Sequence, residues 1–283
     1  MPIEPGRHHH ALVFDSGVGG LSVSGAMRTR MPDLVQSYLA DDAFRPYGDK
    51  PEAVLRARIP ALLESLYNRL DPDIVVIACN TASTTALPAI RAALDVPVVG
   101  VVPAIKPAAA RSALRRIGVL GTPGTVQRDY VDGLIEDYAD GCEVRLQGSV
   151  ALVEQAERRL RGRSLDMAVI GSEIAPLFAG EPIDAVVLAC THFPLLTDAL
   201  AAAAPYPVTW IDSGDAVARR VEHVLRGVTP SRVLSGSGAA YLTGPDDDTA
   251  RRGTFDRYGF APIIGRFGTA MDAEKPGTES GIE

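Results

Sequence analysis

DIVVIACNT at Asp73–Thr81 and DAVVLACTH at Asp184–His192 nearly repeat each other. Asp, Val, Val, Ala and Cys hold the same five of nine places, and Ile77 against Leu188 is a mild exchange. Each segment is a short apolar, β-branched run closed by polar residues. Such a run reads as a strand buried on both faces, the kind that parallel α/β sheets contain. Each strand ends on a cysteine, and the chain has only 3. Matched thiols on matched strand ends point to one site with two similar reagents facing each other.

Outward from these strands the duplication continues. LVFDSGVGG (Leu12–Gly20) and IGVLGTPGTV (Ile117–Val126) both read as strand, glycine-rich turn and helix, and each precedes its cysteine strand. The pattern predicts strands at His10–Phe14, Leu34–Ala40, Ile74–Ala78, Val96–Val101, Ile117–Leu120, Glu143–Leu146, Ala185–Ala189 and Val208–Ile211. Helices are expected at Gly20–Arg30, Pro51–Leu70, Thr84–Leu94, Ala104–Arg115, Thr125–Tyr138, Val150–Leu160, Asp166–Phe178 and Gly214–Leu225. The expected fold is α/β: two similar α/β domains with mainly parallel sheets facing a shared active-site cleft. Ligands bind beyond the carboxyl ends of such strands, where both cysteines sit. The first domain is expected over residues 1–101 plus 207–267 and the second over 102–206. Residues 1–6 and 271–283 read as disordered tails.

The chain has 283 residues, 46% hydrophobic and 22% charged, which is ordinary globular composition. A net charge of −7 argues against a broad nucleic-acid footprint. The longest apolar runs are strand-sized, short of the roughly 20 residues of a membrane span. No charged region followed by an apolar signal core stands at the N-terminus. An odd number of cysteines makes a poor disulfide framework, so a reducing cytoplasm is expected.

Cys79 and Cys190 each sit where a strand opens into a turn and an expected helix. A helix N-terminus lowers a thiol pKa and makes thiolate available. A thiol of pKa about 8.5 is roughly 3% ionised at pH 7, and lowering the pKa to about 7 raises that to half. Cys142 has no such context and reads as structural. A Cys79–Cys190 disulfide would need Cα atoms within about 7 Å. A zinc site of Cys79, Cys190 and His192 lacks CxxC or HxxxH spacing, so no metal is expected. Asp15, Ser16 and Gly17 close the first strand, where they either cap the next helix or bind a polar substrate. Their glycines do not complete a dinucleotide fingerprint and no Walker pattern occurs, so no nucleotide cofactor is expected. Glu154 alone reads as a solvated helix carboxylate, and His192 beside Cys190 reads as a proton-handling residue.

Together these residues resemble glutamate racemase, of the cofactor-independent aspartate/glutamate racemase superfamily. The resemblance runs from about Leu12 to Phe260 through FDSGVGG, PYGDK, VIACNTAS, PVVGVVPAIKPA, IGVLGTPGTV, ALVEQA, VLACTHFPLL and WIDSG, in that order. It implies interconversion of L- and D-glutamate without cofactor, supplying D-glutamate for peptidoglycan in a bacterial cytoplasm. By position it makes Cys79 and Cys190 the acid/base pair, with Asp15, Glu154 and His192 as auxiliary proton-handling groups. It places Asp15, Ser16, Tyr47, Gly48, Asn80, Thr81, Thr191 and His192 around the substrate. A homodimer is the family-level expectation, and some glutamate racemases are associated with DNA gyrase inhibition.

The chemistry of the residues agrees. Racemisation removes a weakly acidic proton from one face of Cα and returns one to the other. A pyridoxal enzyme would tether its cofactor through lysine, and Lys50, Lys106 and Lys275 are the only lysines. Two thiols on opposite faces can do the work as thiolate and thiol. With each sulfur about 3–3.5 Å from Cα, the sulfurs would stand roughly 6–7 Å apart, too far for a disulfide. The hydroxyls of Ser16, Thr81 and Thr191 would hold carboxylates and stabilise an enediolate-like intermediate. Aspartate racemase, a non-catalytic binding protein and a thiol–disulfide oxidoreductase are the competing readings.

Overall fold

The computed structural model describes residues 8–127, 129–230, 238–245 and 249–268. The expected tails at 1–6 and 271–283 lie outside the described residues. The strands are β1 (His10–Asp15), β2 (Val35–Ala40), β3 (Ile74–Ile77), β4 (Val98–Gly100), β5 (Arg116–Gly121), β6 (Glu143–Gly148), β7 (Ala185–Leu188), β8 (Thr209–Ile211), β9 (Ala240–Leu242) and β10 (Ile263–Ile264). The helices are α1 (Leu21–Arg30), α2 (Glu52–Leu70), α3 (Asn80–Ala93), α4 (Ile105–Arg111), α5 (Pro123–Val126), α6 (Asp129–Tyr138), α7 (Ala151–Leu160), α8 (Met167–Ile174), α9 (Thr197–Ala203), α10 (Gly214–Leu225) and α11 (Thr249–Arg257).

The strands form two parallel sheets, ordered β10-β9-β2-β1-β3-β4 and β6-β5-β7-β8. The second repeats the β2-β1-β3-β4 order of the first, so the sequence duplication is a duplication of topology. In both sheets the strand before the glycine-rich turn lies beside the cysteine strand, Phe14 opposite Ile77 and Leu120 opposite Leu188. The return of the chain to the first sheet comes after Ile211 and not after Tyr206. Thr209–Ile211 pairs with β7, so the expected boundary falls one strand too early.

Side-chain alternation fixes which face each residue serves. In β1, Ala11 and Val13 pack with Leu21 and Met27 of α1 and Val217 and Val221 of α10. Leu12 and Phe14 pack on the opposite face with Leu55, Ile59 and Leu62 of α2. Each Val, Leu, Ile, Phe or Met among them, when fully buried, contributes about 1.5–3 kcal/mol. The same period of two carries into the cysteines. Cys79 continues the Val75–Ile77 face and Cys190 the Val186–Leu188 face.

Local differences from the sequence reading have local causes. α3 starts at Asn80, four residues before the expected Thr84, because Cys79 is its N-cap. Ser83 Oγ then ties the first turn to Ile77 O and Val101 N, both at 3.1 Å. The helix expected over Thr125–Tyr138 is broken at Gln127. The one expected over Asp166–Phe178 passes into a tighter 3-10 turn at Ala175–Phe178, led by Pro176. The short strands β9 and β10, and helices α9 and α11, carry too little periodicity to be read in advance.

The chain crosses between the domains near Val102 and again near Asp212, and Ser213 Oγ donates to Val102 O at 2.6 Å across the two crossings. On the other side of the cleft, two glycines let backbones touch. A Cβ on Gly124 would lie 2.5 Å from Gly48 O and 2.9 Å from Gly48 Cα. Overpacking of this kind costs about 1–3 kcal/mol. Gly124→Ala is therefore expected to lower Tm by several degrees, read by thermal denaturation. An unchanged Tm would mean that this approach is not made in solution.

Candidate active site

One pocket opens between the carboxyl ends of the two sheets. It is lined by Ser16, Gly17, Arg45, Pro46, Tyr47, Gly48, Cys79, Asn80, Thr81, Thr122, Thr125, Val153, Cys190, Thr191 and His192. Both cysteines therefore face one space, each buried and free of disulfide. Among the described residues no group of three or more His, Cys, Asp and Glu is placed to hold a metal. No helix there is long and apolar enough to cross a membrane.

Asp15 ends β1 beneath the pocket and is fully buried. Its carboxylate accepts the Gly17 N–H at 2.8 Å and, across the domain boundary, the Thr191 hydroxyl at 3.2 Å. Tyr47 is held from behind: its hydroxyl donates to Asp41 at 2.6 Å, and Asp41 also accepts from Arg58 and Thr243. Thr81, Thr125 and Thr122 form a hydroxyl row, 3.4 Å and 2.9 Å between successive oxygens. Asn80 Oδ1 is buried with no hydrogen-bond partner among the described residues.

The two thiols stand in opposite surroundings. Cys79 Sγ accepts the Ala82 N–H at 3.5 Å and lies 3.6 Å from Ser16 Oγ. Burial and the Asp15 carboxylate nevertheless push its pKa up to about 12, outweighing those two contacts, and Cys190 adds to the rise. The expectation that a helix N-terminus would acidify this thiol is thus reversed: desolvation disfavours thiolate more than the helix favours it. Cys190 is followed by a 3-10 turn, Phe193–Leu196, instead of an α-helix. Its neighbour is His192, with Nδ1 at 3.9 Å from the sulfur. Burial alone would lower the His192 pKa, but contacts with Cys190 and Glu157, and the Asp15 charge, raise it to about 10. Gly19 makes room for this ring, since a Cβ there would lie 2.4 Å from Nδ1.

Glu154 does not join this group. α7 turns it to solvent, while Leu152, Gln155 and Ala156 of the same helix are buried. Glu157, one turn later, faces inward with Oε1 at 3.4 Å from His192 Nε2. Burial would raise its pKa, but His192, Arg45 and Arg161 hold it at about 2.

A family model described as Asp/Glu/Hydantoin racemase matches residues 22–221. The chain belongs to this racemase family. It is 49% identical over 218 residues to a glutamate racemase of Brucella canis, covering 76% of this chain and 79% of that protein. It is 42% identical over 261 residues to a glutamate racemase of Vibrio vulnificus, covering 92% and 98%. The solved structure of Escherichia coli glutamate racemase, in complex with L-glutamate and the activator UDP-MurNAc-ala, matches with a TM-score of 0.88 at 40% identity. That match covers 93% of this chain and 99% of the other.

Within this racemase-family site, the structure adds Arg45, Thr122, Thr125, Val153 and Glu157 to the residues expected from sequence. Thr122 had a signal: in the duplicated turns it takes the place of Ser16, if Leu120 is matched to Phe14. Glu157 had none, because helical spacing does not say which of two carboxylates a neighbouring domain will cover. In a Cys142→Ser/Cys190→Ser variant, ultraviolet thiolate absorbance is expected to show no Cys79 step until the pH approaches about 12. A step near pH 8–9 would show that the helix terminus governs this thiol after all.

Proposed function

We propose that this chain interconverts L- and D-glutamate by two-thiol proton transfer, supplying D-glutamate for peptidoglycan in a bacterial cytoplasm. The observation that carries this reading is the pair of thiols at equivalent strand ends on one pocket, in opposite surroundings. Cys79 keeps its proton and serves as the acid, while Cys190 beside the His192 imidazolium serves as the base. The Cα–H bond breaks, its proton goes to Cys190 sulfur, and the electron pair moves into the substrate carboxylate as an enediolate. Cys79 then delivers its proton to the opposite face of Cα. The opposite enantiomer uses the same groups with roles exchanged.

Ser16 and Thr81 hydroxyls are the donors for carboxylate charge, which is worth most in a site closed to water, while the Thr191 hydroxyl is engaged with Asp15. Asn80 Oδ1 is the acceptor for the substrate ammonium, consistent with its lack of any other partner. Thr125 and Thr122, which continue the hydroxyl row beyond Thr81, suit the side-chain carboxylate.

Purified protein given L-glutamate or L-aspartate without pyridoxal phosphate, and followed by circular dichroism, tests the substrate. D-Glutamate is expected; accumulation of D-aspartate alone would overturn the choice. Cys79→Ser and Cys190→Ser are each expected to lose about 10²–10⁴-fold in turnover, the range of acid–base catalysis. In deuterium oxide the product should carry solvent deuterium at Cα. Full activity in either variant would sink the two-thiol scheme.

A further inference from the structure

An ion pair spans the cleft beside the pocket. Arg45 follows β2 in the first domain, and its Nη1 donates to Glu157 Oε1 on α7 of the second domain at 2.5 Å. The same oxygen lies 3.4 Å from His192 Nε2, and the far ring nitrogen lies 3.9 Å from Cys190 Sγ. Guanidinium, carboxylate, imidazole and thiol thus stand in one row, with members from both domains. The row is well sheltered, the Glu157 and His192 side chains being 11% and 8% exposed. The last turn of α7 is also fastened to the first domain, where Leu160 O accepts from Thr254 Oγ1 at 2.8 Å and Arg257 Nη2 at 3.0 Å.

We propose that Glu157 and Arg45 are positioning residues for the proton chemistry at Cys190. Glu157 holds the imidazole on the thiol, and Arg45 holds Glu157 there while the two domains are closed. The proposal rests on the two-thiol reading above. A carboxylate on one ring nitrogen fixes which nitrogen faces the reacting group and stabilises the imidazolium. An arginine on that carboxylate keeps it ionised and in one rotamer. Because the arginine comes from the opposite domain, opening of the cleft for substrate exchange breaks the contact. Among the described residues Cys79 has no such row; it meets the Ala82 N–H, Ser16 and the Asp15 charge. The device therefore serves one of the two thiols. The charged and titratable groups facing His192 are Asp15 from β1, Glu157 from α7 and Cys190 from its own strand end. Arg45 and Arg161 act on it through Glu157.

The test compares Glu157→Gln, Arg45→Ala, Arg45→Lys and Glu154→Gln with wild type. The His192 ring is titrated by NMR without substrate, and kcat and KM are measured in both directions. Glu157→Gln should move the His192 titration down from about 10 by about one unit or more. The basic limb of kcat/KM should move with it. Because the enantiomers have equal free energy, kcat/KM must fall by one common factor in both directions. At least about a tenfold fall is expected, some 1.4 kcal/mol. Arg45→Ala should give a smaller shift of the same sign, Arg45→Lys should restore most of it, and Glu154→Gln should leave the titration in place.

An unmoved His192 titration in Glu157→Gln, or equal losses from Glu154→Gln and Glu157→Gln, would overturn the proposal. So would Arg45→Ala raising KM alone with the titration unchanged, which would make Arg45 a substrate ligand. If Glu157→Gln fails to fold, the two Arg45 variants decide by the same readouts. A wild-type protein inactive on glutamate would overturn the substrate assignment, and the titration would still decide the positioning role.

Discussion

The Asp15 carboxylate sets the condition that the rest of the site must meet. It is fully buried at the end of β1, and a buried carboxylate is stable only when its oxygens are hydrogen-bonded. One oxygen is served locally by the Gly17 N–H, the other by the Thr191 hydroxyl of the opposite domain. The charge is thus satisfied only with the two sheets facing each other. Closure then brings Gly19 against His192 and Gly48 against Gly124. The two carboxyl ends become the walls of one small chamber.

Within that chamber the duplication is faithful in backbone and broken in charge. β1 and β3 repeat in β5 and β7 with the same neighbours and the same register at the strand ends, so both sulfurs reach the pocket. Around them the sequence diverges. Asp15 at the end of β1 corresponds to Gly121 at the end of β5, while Thr81 corresponds to His192. One thiol faces a buried anion and keeps its proton up to about 12. The other faces an imidazole whose pKa is raised to about 10. Burial and a like charge thus hold the proton on Cys79, while Cys190 has a cationic ring for its neighbour. The thiols themselves are alike.

Burial has more than one effect here. At Cys79 it overrides the helix terminus, because removing water from a small anion costs more than two weak donors return. At His192 and Glu157 the desolvation penalty is of the same kind, yet the partners outweigh it. A lone group near a like charge stays neutral, while two opposite charges in contact both stay ionised.

Most of the fold was legible in the chain. The short β-branched runs between longer helical stretches located eight strands, and the repeat of DIVVIAC in DAVVLAC placed both cysteines at strand ends. Those are local properties: they depend on which side chains follow one another and on which face each then takes. The family resemblance, and not local pattern, put Ser16, Tyr47, Asn80, Thr81, Thr191 and His192 around the substrate, and all six line the pocket. Local pattern could not find β9 and β10, which are too short to show a period; β9 adds to the edge of β2, and β10 to the edge of β9. Nor could it choose between Glu154 and Glu157. The two carboxylates lie on one helix three residues apart, and only the position of His192 and of Arg45 decides which of them is covered. It also misjudged Cys79, since a sequence reports the helix terminus beside a thiol but not the depth at which it is buried. Sequence by itself determined the strands, their duplication and the two cysteines at their ends. The hold on the Cys79 proton, and the row that links Arg45 to Cys190, were decided by tertiary structure, because both arise from groups distant in the chain meeting across one cleft.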